Sequence, residues 1–96
     1  MKIKEHYNSF IPKLFKASAI TFGSHIYYVQ AEHQISTRLR RHEMVHVEQY
    51  QKDGVLRFLY LYLKSYCRLR IQGKAHHIAY RSIPYEEEAY AKERQA

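Results

Sequence analysis

Five residues near the middle of the chain constrain it more than any others: His42-Glu43-Met44-Val45-His46, an H-E-x-x-H run. On an α-helix, positions four apart lie on one face, one turn above the other. His42 and His46 can therefore point at a single metal ion, and one Zn²⁺ per chain is the expected cofactor. Glu43 sits about 100° round from His42 and borders the same face. A carboxylate there stands where a metal-activated water needs a general base. His and Glu are common here, at 7 and 8 of 96 residues. Their frequencies alone give such a run by chance in about 4% of comparable chains, so the flanks must decide.

The flanks read as a helix. Ser36 or Thr37 supplies the N-cap, without the acid three residues on that would complete a capping box. The helix runs to about Lys52, and Gly54 stops it. Leu39, Glu43, His46 and Tyr50 form one row, with His42 and Gln49 beside it, while Arg41, Glu48 and Lys52 point to water. Two histidines and a glutamate on an inward arc have no packing rationale. Burying them without a task would cost a few kcal/mol.

Ninety-six residues with 46% hydrophobic content fit one folded domain, residues 1–96. Residues 1–16 read as irregular. Residues 17–30 read as two short strands around Gly23-Ser24, either a hairpin or one bent strand. They could form an edge that pairs with an extended peptide, or merely cover the core. Residues 55–68 form a second helix, extending to about residue 70. It is apolar over most of its circumference, which implies packing on two sides as the main core helix. Membrane-surface docking or oligomerisation through it is the functional alternative. Cys67, the only cysteine, reads as a buried small hydrophobe and excludes an intrachain disulfide. Residues 74–82 are a short helix or loop. The last helix opens at Pro84, with Glu86, Glu87 and Glu88 suited to its N-terminal dipole, and runs to about residue 94.

The formal net charge is +7. It reads as a solvated basic surface rather than a nucleic-acid interface, because no nucleic-acid motif accompanies it. The N-terminal run has no apolar leader, and the longest apolar stretch, residues 55–63, contains Arg57 and is too short to span a bilayer. A cytoplasmic location is the expectation.

A catalytic zinc site takes three protein ligands. A third histidine in the metzincin position is excluded, since Gln49 and Lys52 stand where Gly and His would be required. A glutamate from a downstream helix remains, and residues 86–88 and Glu93 qualify. Residues 42–50 resemble the H-E-x-x-H-x-x-Q helix of small bacterial zincin-like domains. Residues 83–90, Ile-Pro-Tyr-Glu-Glu-Glu-Ala-Tyr, resemble their downstream P-x-E-x-E-A segment, and Thr21-Phe22-Gly23 resembles the strand preceding their zinc helix. The resemblance spans about residues 18–92. It implies a minimal zincin-like α+β domain, with short N-terminal strands packed on about three helices.

It also implies a metallopeptidase of the Glu-zincin type acting on a peptide or protein substrate. In that pattern the ligand glutamate stands three residues before an alanine, which carries over to Glu86 with Ala89. Glu88 is the alternate. The aspartate that usually follows the alanine is Tyr90 here, which weakens the expected support of the ligand histidine. Glu43 is the expected catalytic base. Tyr80, His76, His77 and Arg81 are candidates to stabilise an oxyanion, and Gln49 to brace the site from outside. The competing class is a non-catalytic module braced by zinc, with its basic surface as the contact for nucleic acid or a protein.

Overall fold

The computed structural model describes residues 2–94, and its organising element is the helix that carries the H-E-x-x-H run. In chain order the elements are β1 (Lys4–His6), α1 (Ile11–Leu14), β2 (Ala19–Phe22), β3 (His25–Tyr28), α2 (Thr37–Asp53), α3 (Val55–Ile71), α4 (His76–Arg81) and α5 (Pro84–Glu93). A single 3-10 turn, Glu32–Gln34, leads into α2. The fold is α+β, with one three-stranded sheet and five helices among the described residues.

Ser36, rather than Thr37, caps α2 by accepting a 3.0 Å hydrogen bond from the Leu39 N–H. Gly54 ends it at φ +83°, a conformation that disfavours side chains, and its N–H returns to the Tyr50 carbonyl at 2.7 Å.

The stretch around Gly23-Ser24 is a hairpin, not a bent strand, with β2 and β3 antiparallel and Thr21 opposite Ile26. Gly23 takes φ +62°, the positive value a two-residue loop asks of its first position. Ala19, Thr21, Ile26 and Tyr28 are buried on one face of the hairpin, and Ala19, Ile26 and Tyr28 form the centre of the core with Val47.

Residues 2–16, the described part of the N-terminal stretch, are more ordered than expected. β1 pairs parallel with β3, so the strand order is β1-β3-β2 and β2 is an edge. The strand is held from its far side. The Tyr28 hydroxyl donates to Glu5 at 2.9 Å, Arg40 pairs with Glu5 at 3.3 Å, and Tyr7 stacks on Tyr28. A three-residue strand whose partners lie about twenty residues away leaves no local period to read.

The second long helix is not the core helix its apolar circumference implied. α3 fully buries only Phe58 and leaves Leu56, Tyr60, Leu63 and Ile71 in solvent; Cys67 is exposed, not buried. The reason is that α2 already fills the centre, between the sheet and α5. α3 can therefore pack on one side only. Residues 74–82 resolve into the short helix α4. Among the described residues, no helix is long and apolar enough to cross a membrane.

Candidate metal centre

Two helices meet to build the cluster. α2 contributes His42 and His46 from consecutive turns. α5 begins with Pro84 and brings Glu86 into its first turn, where free backbone N–H groups and the helix dipole favour a carboxylate. Glu86 is 2% exposed and both histidines 5%. Its Oε1 lies 2.8 Å from His42 Nε2 and 3.2 Å from His46 Nε2. Neighbouring ligand atoms of a tetrahedral zinc stand about 3.3 Å apart, given metal–ligand bonds near 2.0–2.1 Å. The two distances from Glu86 are near such an edge, all three ligand atoms lie within 4.8 Å of one another, and these side chains could hold one metal ion.

The outward nitrogens fix the tautomers. Gln49 donates its amide to the Tyr85 carbonyl at 3.0 Å and to Glu88 Oε1 at 2.6 Å. Its Oε1 is therefore an acceptor, and His46 Nδ1 must carry the proton that reaches it at 2.8 Å. His42 Nδ1 faces the Glu93 carboxylate at 3.4 Å and donates likewise. In the metal-free chain the Nε2 atoms meet Glu86 as hydrogen-bond partners; once the histidines are neutral, their Nε2 lone pairs face inward, the arrangement outer-shell partners impose on histidine ligands. The support that Tyr90 does not give His42 comes from Glu93, seven residues beyond Glu86 and so on the same side of α5. Tyr90 instead sets its ring edge-on to His42, with centroids 4.5 Å apart.

Glu86, not Glu88, reaches the histidines. Glu88 lies at the surface and bonds Gln49 and Lys92. The other oxygen of Glu86 accepts a 2.5 Å hydrogen bond from the Tyr62 hydroxyl, a partner the sequence did not reveal. Burial would raise the Glu86 pKa, but hydrogen bonds from His42 and His46 overturn that and hold it well below the usual range. Burial would lower His46, but the bond to Glu86 and its charge lift the pKa to about 9. Burial, then the charge of Glu86, pushes the phenols of Tyr62 and Tyr80 up, so both remain donors.

Glu43 stands beside the cluster and outside its ligand set. Its Oε1 accepts a 2.7 Å bond from Thr21 Oγ1 on β2, and Tyr50 donates to the Thr21 carbonyl at 3.2 Å. Thr21 is the second residue that sequence reasoning missed as a site partner. Burial raises the Glu43 pKa, partly offset by His46 and by the Thr21 bond.

His42 and Glu43 open onto a cleft of about 390 Å³. One wall is residues 15–19, leading into β2; the other is α4, with His76, His77, Tyr80 and Arg81 all lining it. Within that wall His76 shares a 2.9 Å hydrogen bond with Tyr66, and Arg81 lies over the Tyr90 ring at 4.3 Å.

If the cluster takes a metal ion, the metal-free chain and the complex should respond oppositely to pH. His46 has a folded pKa above its ordinary 6.5, so its contribution to metal-free stability is full below pH 6.5 and disappears as pH rises through about 9. Glu86 has a folded pKa below 4.5, so its contribution is present above pH 4.5 and is lost as pH falls. A metal ion needs both histidines neutral. Chelator-treated protein should therefore lose melting temperature between about pH 6 and about pH 9, while the rise on adding Zn²⁺ grows. A zinc-induced rise that shrinks over this range would contradict the paired arrangement of His46 and Glu86.

A family model described as the eCIS core domain matches residues 12–54. The matched stretch carries the β2–β3 hairpin and the whole of α2, hence Thr21, His42, Glu43 and His46. It ends before α3, so Tyr62, Glu86 and Glu93 lie outside it. Comparisons with curated proteins and with solved structures give no match.

Proposed function

We propose that this chain is a zinc-dependent metallopeptidase of the Glu-zincin type, with His42, His46 and Glu86 as ligands and Glu43 as general base. The observation that carries the reading is the position of Glu43. Its carboxylate is buried beside the ligand pair, held by Thr21, and takes no part in the His42–His46–Glu86 contacts. A closed structural site has no use for such a group.

Bound zinc would supply Lewis acidity toward a peptide carbonyl and lower the pKa of a water. Glu43 takes the proton from the attacking water and passes it to the leaving amine. Its raised pKa brings it nearer the working pH for both transfers. Tyr80, kept protonated and lining the cleft, is the proposed donor to the developing oxyanion. Substrate would lie along β2. The bond from the Val29 N–H to the Ser18 carbonyl sets the alternation, so the backbone groups of Ala19 face away from β3 toward the cleft. An extended peptide could pair there.

The test is zinc content together with cleavage of a broad peptide library. Zinc-loaded protein should carry about one ion per chain and cleave. Thr21→Val refines it, because it keeps the shape and deletes only the bond to Glu43. Zinc binding should be unchanged and kcat should fall about tenfold. The Thr21 bond favours the charged carboxylate, so its loss should move the acidic limb of the rate profile to higher pH. An unshifted limb would mean that Thr21 does not tune the base.

A second reading keeps the zinc and drops the chemistry. The near-complete burial of all three proposed ligands favours a metal that only braces a small fold. A zinc-loaded protein that cleaves no peptide would transfer the assignment to that module.

A further inference from the structure

The proposed activity makes no use of the outer face of α3. At 100° per residue, Leu56, Tyr60, Leu63, Cys67 and Ile71 fall within an arc of about 80°. Leu56 is 85% exposed, Ile71 86%, Tyr60 62% and Leu63 58%, and Cys67 is exposed too. Phe58 and Tyr62, which serve the core and the metal cluster, lie on the opposite side of the helix. The first four residues of the stripe follow a four-three-four spacing. That is the a/d repeat of a helix-packing seam, here about 17 Å long.

Charge says what covers it. Arg57, Lys64 and Arg68 flank the stripe on one side and Arg70 on the other, and α3 contains no Asp or Glu. In the heptad frame set by the seam, Arg57 and Lys64 occupy e positions, where a partner helix presents its own charges. A second copy of the chain would bring another +7 and no acid from α3 to meet them. A membrane-surface helix presents a broad apolar face that sinks into the headgroup boundary; an arc of about 80° fits the narrower helix seam.

We propose that the outer face of α3 docks an amphipathic helix of an acidic partner protein, apolar seam against seam, with the partner's carboxylates facing Arg57 and Lys64. This inference does not depend on zinc or on peptide cleavage, and the cleft stays open when the face is covered.

The probes are two fluorescent three-heptad peptides with Leu at a and d. One carries Glu at e and g, the other Lys, and like charge keeps each monomeric. Anisotropy with the full chain should show the Glu peptide binding at least about tenfold more tightly. Leu56→Glu/Leu63→Glu should abolish that binding, and Arg57→Glu/Lys64→Glu should invert the preference. Sedimentation should show a monomer without peptide, and the protein should stay in the supernatant of phosphatidylcholine–phosphatidylglycerol vesicles. Four results would overturn the proposal: equal or absent binding of the two peptides, vesicle binding or a dimer that Leu56→Glu/Leu63→Glu abolishes, a preference that charge reversal leaves intact, and unfolding of either variant, since a free seam carries no fold.

Discussion

Glu43→Gln should hold its zinc, keep its melting temperature and lose peptidase activity by about 10²-fold or more, the usual scale for a lost general base. Three features of the site separate these effects. The Glu43 carboxylate makes none of the contacts that join His42, His46 and Glu86, so removing its charge leaves the proposed ligand set whole. The Gln amide keeps the size of the side chain and offers an oxygen to Thr21 Oγ1, which now bonds Glu43 Oε1 at 2.7 Å. Burial already raises the pKa of the acid, so replacing it with a neutral amide should cost the fold little. What the amide cannot do is accept a proton. The measurements are bound zinc, thermal unfolding and peptide cleavage on the variant beside wild type. Undiminished cleavage in Glu43→Gln would remove the base from the mechanism, and loss of zinc would make Glu43 part of the metal site instead.

The sequence made the local half of the site legible. His42, Glu43, His46 and Gln49 lie within eight residues on one helix, and helical periodicity alone brings them to one face. Glu86 required a resemblance and then tertiary geometry. Glu86 and Glu88 are two residues apart, about 200° round the helix, so only one can reach the histidines, and the docking of α5 decides which. Glu93 and Tyr62 entered for the same reason, through packing of one helix against another. Thr21 stands 22 residues before Glu43, and nothing in a strand's alternation marks one inward threonine as a hydrogen-bond donor to a distant carboxylate.

The fold shows the same division. The limits of α2 follow from Ser36 and Gly54, whose signals are local; Gly23-Ser24 marked a bend but left a hairpin and a bent strand open, and pairing of β2 with β3 decided it. Nor does the role of α3 follow locally, because burial depends on what else fills the centre. Its apolar circumference suggested a core helix, yet α2 and α5 had already taken that place. The residues it leaves outside are those now offered as a docking face.

Glu86→Gln should weaken zinc binding by at least about 10²-fold, whereas Glu88→Gln should leave it within about tenfold. The two side chains differ in place rather than in chemistry. Glu86 is 2% exposed, accepts from Tyr62 and touches both Nε2 atoms; Glu88 has a side chain 47% exposed and touches Gln49 and Lys92. Losing the Glu86 charge removes a proposed ligand and also the partner that holds His46 near pKa 9. The metal-free Glu86→Gln chain should therefore lose on the order of 3 kcal/mol, as expected for one side of a buried pair. Glu88→Gln should cost under about 1 kcal/mol, as expected for a half-exposed pair, and can reach the metal only through Gln49 and His46. The His42→Ala/His46→Ala double variant should retain no stoichiometric zinc. Isothermal titration with Zn²⁺ and denaturant unfolding of the metal-free proteins measure both halves of the comparison. Wild-type zinc affinity in Glu86→Gln with loss in Glu88→Gln would transfer the third ligand to the other face of α5. Full zinc in the double variant would place the metal away from α2 altogether.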